Sequence, residues 1–390
     1  MTTENKVRFG IIGFGAQGSM YAKFITDGMV PSMDLVAIAD IDDAKLTQVS
    51  ELYPDVKLFN SYQAIIESGE VDAIITTVPH YLHPEIATFA LSKGIHVLNE
   101  KPAGVYTKQV KELNEYAKSV DATYAIMFNQ RNNPLYQKLK TILDNKEIGD
   151  IRRVNWIITT WWRPQAYYDQ SEWRATWGGE GGGVLVNQAP HQLDLIQWLT
   201  GVPANVTSRV QYGYQRDIPV EDQVHALFEY DNGATGVFVT STNEIVGSDR
   251  LEIVGDKGKI IVDDSQTANV YRLNESEADI NKNMDVDGVR RLFTGELPFD
   301  ELYEKEIIEE ENVWGQQHSG VLENFAQHIL NDTPLIADGQ EGINGVRLAN
   351  AIHLSSWTGE KVALADFDDE KYLSLLNDHI TEEGKFDTRA

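Results

Sequence analysis

Short apolar runs alternate with helical patterns through the first third of the chain. The apolar runs cover 7–12, 34–39, 73–78, 96–98 and 123–128, and each has the length of a buried strand. Strands and helices that alternate in this way predict a parallel, doubly wound sheet. Ligands of such sheets bind at the carboxyl ends of the strands, so the residues that follow each run are the ones to examine for chemistry.

After these strands the pattern changes. We predict a helix at 134–145, a strand at 151–160 and six strands of one sheet between 205 and 272. Apolar spacing predicts two more helices, Trp314–Leu330 and Gln340–Trp357, and the second is expected to pack back on the first domain. The predicted fold class is α/β, with a C-terminal α+β domain built on a large, mostly antiparallel open sheet.

A chain of 390 residues is long enough for two domains. We assign residues 1–128 to the doubly wound domain and 129–390 to a domain for substrate binding and oligomerisation. The open sheet is expected to join subunits into a homodimer or homotetramer, because an uncovered sheet face is a common interface. The polar segment 360–390 has no role that the sequence shows.

The first strand ends in a glycine-rich turn that leads directly into a helix. The turn reads Gly13-Phe14-Gly15-Ala16-Gln17-Gly18, a G-x-G-x-x-G pattern. Gly13 permits the tight turn, Gly15 lets a pyrophosphate approach the backbone, and Gly18 lets the helix pack close to its strand. The helix N-terminus offers unpaired N–H groups to the phosphates. The turn predicts a dinucleotide site on a Rossmann-type domain, although a turn without a ligand can show the same pattern.

Asp40 indicates which dinucleotide binds. It lies 22 residues after Gly18, at the end of the second strand, where an acidic residue accepts hydrogen bonds from the adenosine ribose. No Arg or Lys occurs at 41–44 to pair with a 2′-phosphate, so NAD is favoured over NADP. The alternative role for Asp40 is to cap the helix predicted at 42–52.

The composition excludes several classes of function. The formal net charge of −27 is spread along the chain and repels nucleic acids and anionic membrane surfaces. There is no cysteine, no H-x-x-x-H or H-E-x-x-H pairing and no apolar run long enough to span a bilayer. We therefore expect a cytoplasmic protein without a metal, a nucleic-acid partner or a membrane partner.

Two later stretches carry candidate chemistry. Glu100-Lys101-Pro102 follows an apolar strand and places a lysine at the ligand edge of the sheet. Residues 178–183 contain five glycines in six positions, which predicts a flexible loop at a ligand site. Pro190 then suits a first helical turn, and His191 and Asp194 would share one face of that helix.

The glycine turn, Glu100-Lys101-Pro102 and the glycine-rich run before the His191 helix together resemble the Gfo/Idh/MocA-type oxidoreductases, from about Lys6 to Trp357. The resemblance implies a nicotinamide cofactor that exchanges a hydride with a substrate carbon. It also implies that Lys101 is the active-site lysine and that His191 exchanges the hydroxyl proton.

Two positions depart from the family pattern. The family usually has Asp four residues before the histidine, where this chain has Asn187, and commonly has Asn where this chain has His80. An amide orients groups by hydrogen bonding but cannot accept the proton. Lys101 and His191 must then transfer it alone, unless Asp194 or Glu100 helps. We assign the catalytic role to Lys101, His191 and Asn187.

The remaining site residues come from strand ends and from an aromatic segment. Five aromatic residues between 161 and 173, interleaved with arginines, form either a core loop or a sugar-binding wall. Beside the glycine turn and Asp40, the residues expected to bind the cofactor are Pro79, His80, His83, Glu100, Lys101 and Asn129. Those expected to bind substrate are Arg131, Trp162, Arg163, Tyr168, Trp173, Asn187 and His191.

We predict an NAD-dependent dehydrogenase that acts on a secondary hydroxyl of a cyclic sugar, anhydrosugar or inositol. Two alternatives remain open. One is an NADPH-dependent carbonyl or ketosugar reductase, and the other is a non-catalytic NAD-sensing Rossmann protein.

Overall fold

The computed structural model describes residues 6–311, 313 and 315–389. One sheet has six parallel strands in the order β3-β2-β1-β4-β5-β6. Its strands are β1 (Val7–Ile12), β2 (Met33–Ala39), β3 (Lys57–Phe59), β4 (Ala73–Thr76), β5 (His96–Asn99) and β6 (Tyr124–Ile126). The doubly wound domain predicted from the alternating pattern is confirmed.

The second sheet has nine strands in the order β14-β13-β12-β11-β7-β10-β9-β8-β15. Only β7 and β10 pair in parallel, so the mostly antiparallel sheet is also confirmed. The strands are β7 (Ile151–Ile158), β8 (Asn205–Tyr212), β9 (Glu221–Glu229), β10 (Thr235–Ser241), β11 (Asp249–Gly255), β12 (Gly258–Asp263), β13 (Thr267–Leu273), β14 (Tyr303–Glu309) and β15 (Val362–Ala363). The strands β14 and β15 were not predicted from the sequence.

Helices cover the first sheet and one face of the second. They are α1 (Ala16–Thr26), α2 (Asp43–Leu52), α3 (Tyr62–Glu67), α4 (His83–Ser92), α5 (Thr107–Ala117), α6 (Pro134–Asp144), α7 (Gln165–Tyr168), α8 (Pro190–Thr200), α9 (Glu277–Asn283), α10 (Val286–Thr294), α11 (Gln316–Asn331), α12 (Gly342–Thr358) and α13 (Asp369–Glu383). The helix predicted to start at Trp314 begins at Gln316, and Trp314 itself lies outside the described residues. None of the described helices is long and apolar enough to cross a membrane.

Two late helices tie the C-terminal part of the chain to the first sheet. Helix α11 buries Leu322 and Phe325 in the apolar core beneath β1. Helix α12 packs Val346 against α5 and β6, and its Asn350 bridges the backbone of the segment that follows the Lys101 loop. The Asn350 amide donates to Val105 O at 2.9 Å and accepts from Thr107 N at 3.1 Å. These contacts fix the orientation of the two sheets around the strand ends.

The C-terminal segment folds over the glycine-rich run instead of forming a loose extension. Helix α13 buries a row of apolar side chains that the polar composition of the segment concealed: Tyr372, Leu373, Leu376 and Ile380. Past this helix, the Arg389 guanidinium lies 4.1 Å from the centre of the Tyr81 ring and donates to Gly178 O. Glu383 accepts a hydrogen bond from Trp177 N. The segment therefore holds the start of the glycine-rich run in place.

A buried ion cluster joins three distant stretches of chain. Arg131 follows β6, and its guanidinium bonds both carboxylate oxygens of Asp194 on α8, at 2.6 and 2.8 Å. It also donates to Glu341 at 2.5 Å. Both the Arg131 and the Asp194 side chains are 1% exposed. The expectation that Arg131 binds substrate is therefore wrong, because its guanidinium is enclosed by these carboxylates and by the Phe128 and Trp198 rings.

Replacing Arg131 with Met should destabilise the protein by about 3–5 kcal/mol, because it leaves the Asp194 carboxylate buried without a cation to balance its charge. Urea denaturation measures this free energy of unfolding. Arg153→Met is the matched control, since Arg153 forms a half-exposed ion pair with Glu252 and its loss should cost less than about 1 kcal/mol. Equal losses in the two variants would contradict this account of the cluster.

Candidate active site

The glycine turn has the geometry that each of its glycines predicts. Gly13 has a φ of +96°, and a Cβ there would lie 2.5 Å from Thr77 O. A Cβ on Gly18 would lie 2.1 Å from Gly13 O, so the close packing of α1 on β1 requires glycine. A Cβ on Gly15 would meet nothing within 4 Å. Gly15 is also the N-cap of α1 and has no capping side chain, which leaves space and free N–H groups for a phosphate.

Asp40 faces the glycine turn. Its carboxylate accepts a hydrogen bond from Phe14 N at 2.7 Å and one from Asp42 N at 2.9 Å. The side chain of Asp42, and not of Asp40, caps α2. The Lys45 ammonium lies 3.5 Å from the Asp40 carboxylate. Asp40 therefore lies beside the glycine turn, and the capping role belongs to its neighbour Asp42.

Lys101 lies at the carboxyl end of β5, before a cis peptide bond to Pro102. The preceding Glu100 is buried, accepts a hydrogen bond from the Tyr21 hydroxyl and accepts a second from Lys101 N at 3.0 Å. The Lys101 ammonium donates to Asn187 O at 3.1 Å. Burial lowers the pKa of Lys101, and the carboxylates of Glu100 and Glu180 oppose that shift.

The glycine-rich run at 178–183 is a tightly packed loop. A Cβ on Gly181 would lie 2.1 Å from the Val105 side chain, and one on Gly183 would lie 2.1 Å from Glu221 O. Every residue of the run is buried. The expectation of a flexible loop is therefore wrong: the glycines allow the backbone to approach the Lys101 segment and β9, with no room for side chains.

Glu180 is a site residue that the sequence reasoning missed. It is the one residue in the glycine-rich run with a side chain, and it is 1% exposed. Its carboxylate accepts hydrogen bonds from Ala175 N at 2.6 Å and from the Asn187 amide. Burial raises the pKa of Glu180, while these donors and the nearby cations Arg174 and Lys101 oppose the rise. An isolated charged residue inside a glycine-rich run was the only sequence signal for it.

His191 lies in the first turn of α8, as predicted from Pro190. Its Nδ1 is buried and has no hydrogen-bond partner among the described residues. Burial lowers the pKa of His191 well below its usual value, and the charges of Lys101 and His318 lower it further. His318, on α11, was not predicted as a neighbour. Asp194 does not assist His191, because it pairs with Arg131 and Gln197.

The two histidines after β4 have different environments. His80 is buried, places Nδ1 3.1 Å from Glu180 O and lies edge-on to the Trp173 ring. His83 has its ring nitrogens 2.8 Å from Pro102 O and 2.9 Å from Val78 O. Both nitrogens of His83 therefore contact backbone, and its assignment to the cofactor is corrected to a structural role in holding the Pro102 loop.

Pro79 and Asn129 also lie at strand ends. Pro79 is partly exposed and precedes the short 3₁₀ helix at His80–Leu82. Asn129 is buried, and its amide donates to Gln317 on α11 at 3.4 Å. The Asn129 Oδ1 atom has no hydrogen-bond partner within the described part of the chain. Both residues therefore stay candidates for contact with a cofactor.

The aromatic segment divides between core and surface. Tyr168 is buried in the core of the second domain and bonds Thr242 at 3.0 Å, so its assignment to the substrate is corrected. Trp162 is 40% exposed, and Trp173 faces His80. The guanidinium of Arg163 lies 5.0 Å from the Tyr167 ring centre. Trp162, Trp173 and Arg163 remain available to line a pocket.

Among residues 6–311, 313 and 315–389, no group of three or more His, Asp or Glu side chains is arranged to hold a metal ion. The polar groups at the strand ends instead form a hydrogen-bonded set around Lys101. They suit an organic cofactor held by backbone N–H groups and by Asp40.

Comparisons with known proteins match both the Rossmann-type domain and the domain that follows it. A model of the oxidoreductase family with an NAD-binding Rossmann fold matches residues 7–128. A model of the GFO/IDH/MocA C-terminal domain matches residues 136–261.

Two characterised relatives cover nearly the whole chain. Myo-inositol 2-dehydrogenase of Thermotoga maritima is 24% identical over 344 residues, which are 86% of this chain and 92% of that protein. D-glucoside 3-dehydrogenase of Escherichia coli is 24% identical over 385 residues, which are 93% of this chain and 99% of that protein.

Solved structures share the fold. Levoglucosan dehydrogenase, determined with NADH and levoglucosan, aligns with a TM-score of 0.77 at 17% identity and covers 92% of this chain and 100% of that chain. The WlbA dehydrogenase from Bordetella pertussis, determined with NADH and UDP-GlcNAcA, aligns with a TM-score of 0.74 at 23% identity and covers 92% and 99%. The family models, these relatives and the strand-end site agree, and the chain belongs to the Gfo/Idh/MocA family of NAD-binding oxidoreductases.

Proposed function

We propose that the protein oxidises a secondary hydroxyl of a cyclic sugar, anhydrosugar or inositol with NAD. The observation that carries the proposal is the convergence of Lys101 and His191 at the carboxyl end of β5, in the sheet whose first strand leads into the glycine turn. Lys101 reaches the segment before α8, and its charge acts on the His191 imidazole. The relatives that support this substrate class act on inositol and on a glucoside, as their names state.

The residues of the chain fit the cofactor at one end of the site. Gly15 and the N-terminus of α1 would receive the pyrophosphate, and Asp40 would receive the adenosine ribose. Bound NAD supplies the acceptor for the hydride that leaves the substrate carbon.

Lys101 and His191 supply the proton chemistry at the other end. The lowered pKa of His191 keeps the imidazole neutral near pH 7, so it can accept the proton of the substrate hydroxyl. The Lys101 ammonium has three donors, and one of them is bonded to Asn187 O. A second donor stabilises the negative charge that develops on the substrate oxygen.

Asn187 orients the lysine through its backbone carbonyl, and its side chain is bonded to Glu180. Glu100 remains a candidate for contact with the cofactor. Trp162, Trp173 and Arg163 are the residues we expect to select the sugar, because they supply aromatic faces and a guanidinium, and Trp173 lies edge-on to His80.

Replacing Lys101 with Met should lower turnover by at least about a hundredfold, because the developing oxyanion loses its charged donor. Turnover is read as NADH absorbance against a panel of sugars and polyols, and NADH binding is read by fluorescence. NADH affinity should stay within about threefold of the parent. An unchanged turnover would refute the role of Lys101, and a parent that binds NAD but oxidises nothing in the panel would favour the NAD-sensing alternative.

Asp40→Ser should weaken NAD binding and narrow the preference for NAD over NADP. The change removes the ribose acceptor and leaves the Lys45 ammonium, now 3.5 Å from the carboxylate, beside the site of a 2′-phosphate. Dissociation constants for NADH and NADPH measure the preference. Asp43→Ser is the control, because Asp43 lies on the exposed first turn of α2. A parent that prefers NADPH would favour the reductase alternative.

We infer that the chain self-associates through the open face of the second sheet. The strand register places Leu227, Val237, Ile157 and Ile307 on one face, and each of these side chains is at least 37% exposed. Leu227, Val237 and Ile157 lie on three adjacent strands, β9, β10 and β7, and an exposed apolar patch of this kind is typical of an interface between subunits.

Val237→Asp should shift the protein from an oligomer to a monomer, because it places a charge in the centre of that face. Sedimentation velocity gives the mass of the species in solution. The control is Val286→Asp, which changes an exposed apolar residue on α10 away from the sheet. A parent that sediments as a monomer would contradict the inference.

A further inference from the structure

The buried carboxylate of Glu180 has no role in the proton transfer described above. Glu180 is 1% exposed and lies in a run where every neighbouring residue is glycine. Burying a carboxylate is costly unless it is bonded on both oxygens, and here both are bonded. One oxygen accepts from Ala175 N at 2.6 Å and the other accepts from the Asn187 amide.

A continuous set of contacts leads from Glu180 to the lysine. The Asn187 side chain donates to Glu180, and the Asn187 backbone carbonyl accepts from the Lys101 ammonium at 3.1 Å. The backbone carbonyl of Glu180 itself lies 3.1 Å from the His80 ring. Glu180 therefore contacts both segments that border Lys101 without bonding the ammonium directly.

Glu180 supplies a negative charge near Lys101 that the residue at position 187 cannot supply. Residue 187 is Asn, so the segment that receives the Lys101 ammonium carries no carboxylate of its own. Glu100 and Glu180 are the carboxylates whose charges act on Lys101, and the Arg174 guanidinium opposes them. The Lys101 charge in turn lowers the pKa of four nearby imidazoles, those of His80, His83, His191 and His318.

We propose that Glu180 is a positioning residue for Lys101. Its carboxylate supplies the negative charge that Asn187 cannot supply, and it holds the Asn187 side chain so that the backbone carbonyl faces the ammonium. Lys101 thereby stays protonated in a buried setting, where an ammonium alone would lose its proton. The effect of Glu180 on turnover rests on the proposed dehydrogenase activity. Its effect on the protonation of Lys101 does not depend on that activity.

The test is the pH at which Lys101 becomes reactive, since only the neutral amine acylates. Competitive acetylation of the full chain, read by peptide mass spectrometry, follows Lys101 against the exposed Lys282 as an internal reference. This readout needs neither NAD nor substrate, so a failure of the proposed function leaves it interpretable. In Glu180→Gln, which keeps an acceptor oxygen, the Lys101 midpoint should fall by about one pH unit.

Turnover gives the second readout. In the parent, activity should fall as the pH rises through the pKa of Lys101, because the oxyanion donor is then lost. In Glu180→Gln this alkaline limb should move to lower pH by the same shift as the Lys101 midpoint. At pH values above the parent midpoint kcat should therefore drop by up to about tenfold, while the Kd for NADH stays unchanged. Glu172→Gln, an exposed acid on the same segment, is the control and should match the parent.

A double variant separates charge from shape. Glu180→Gln with Asn187→Asp exchanges the amide and the carboxylate, so the total charge is kept. Its Lys101 midpoint should return to the parent value, and this comparison stands even if Glu180→Gln alone does not fold. The proposal is overturned if Glu180→Gln keeps the parent midpoint, because Glu180 would then contribute no charge to Lys101. It is also overturned if the midpoint of the double variant lies well below that of the parent, because a carboxylate restored beside Lys101 would then not hold the lysine protonated.

Discussion

A half-buried ammonium must be balanced by negative charge, and the architecture around Lys101 meets that requirement from two directions. Glu100 comes from the same strand end, and Glu180 comes from a loop almost eighty residues later in the chain. The second carboxylate can reach the lysine only because the surrounding glycines let the backbone pack against Val105 and Glu221. The close packing of the glycine-rich run and the charge balance of Lys101 therefore depend on each other.

Contacts elsewhere in the fold hold the segments that carry Lys101, His191 and Glu180 in fixed positions. Helix α12 bonds the backbone just after the Lys101 loop through Asn350, and the ion cluster of Arg131 attaches α8, which carries His191, to the end of β6. The C-terminal segment bonds Trp177 and Gly178, which precede Glu180 by three and two residues. Small displacements of any of these segments would move charged groups that act on one another through a poorly solvated site, where electrostatic interactions are strong.

Features with a local signal could be predicted from the sequence. Strand and helix periodicity predicted the parallel, doubly wound sheet, and the roles of Gly13 and Gly18 follow from the close approach of one turn to its helix. Features that depend on distant partners could not be predicted. Arg131 was expected to bind substrate because the sequence does not show its two carboxylate partners, Asp194 and Glu341, which lie 63 and 210 positions later in the chain. Glu180 was not predicted because its glycine neighbours suggested flexibility and because Lys101, on which its charge acts, lies 79 positions earlier in the chain.

The most direct test of the account is a crystal structure of the protein with NADH and a sugar or polyol that it oxidises. We expect the pyrophosphate to contact the N–H groups at Gly15, and one carbinol oxygen to lie within hydrogen-bond distance of both the Lys101 ammonium and the His191 imidazole. The carbon bearing that oxygen should face C4 of the nicotinamide. A dinucleotide bound away from the glycine turn, or a carbinol oxygen that contacts neither Lys101 nor His191, would contradict it.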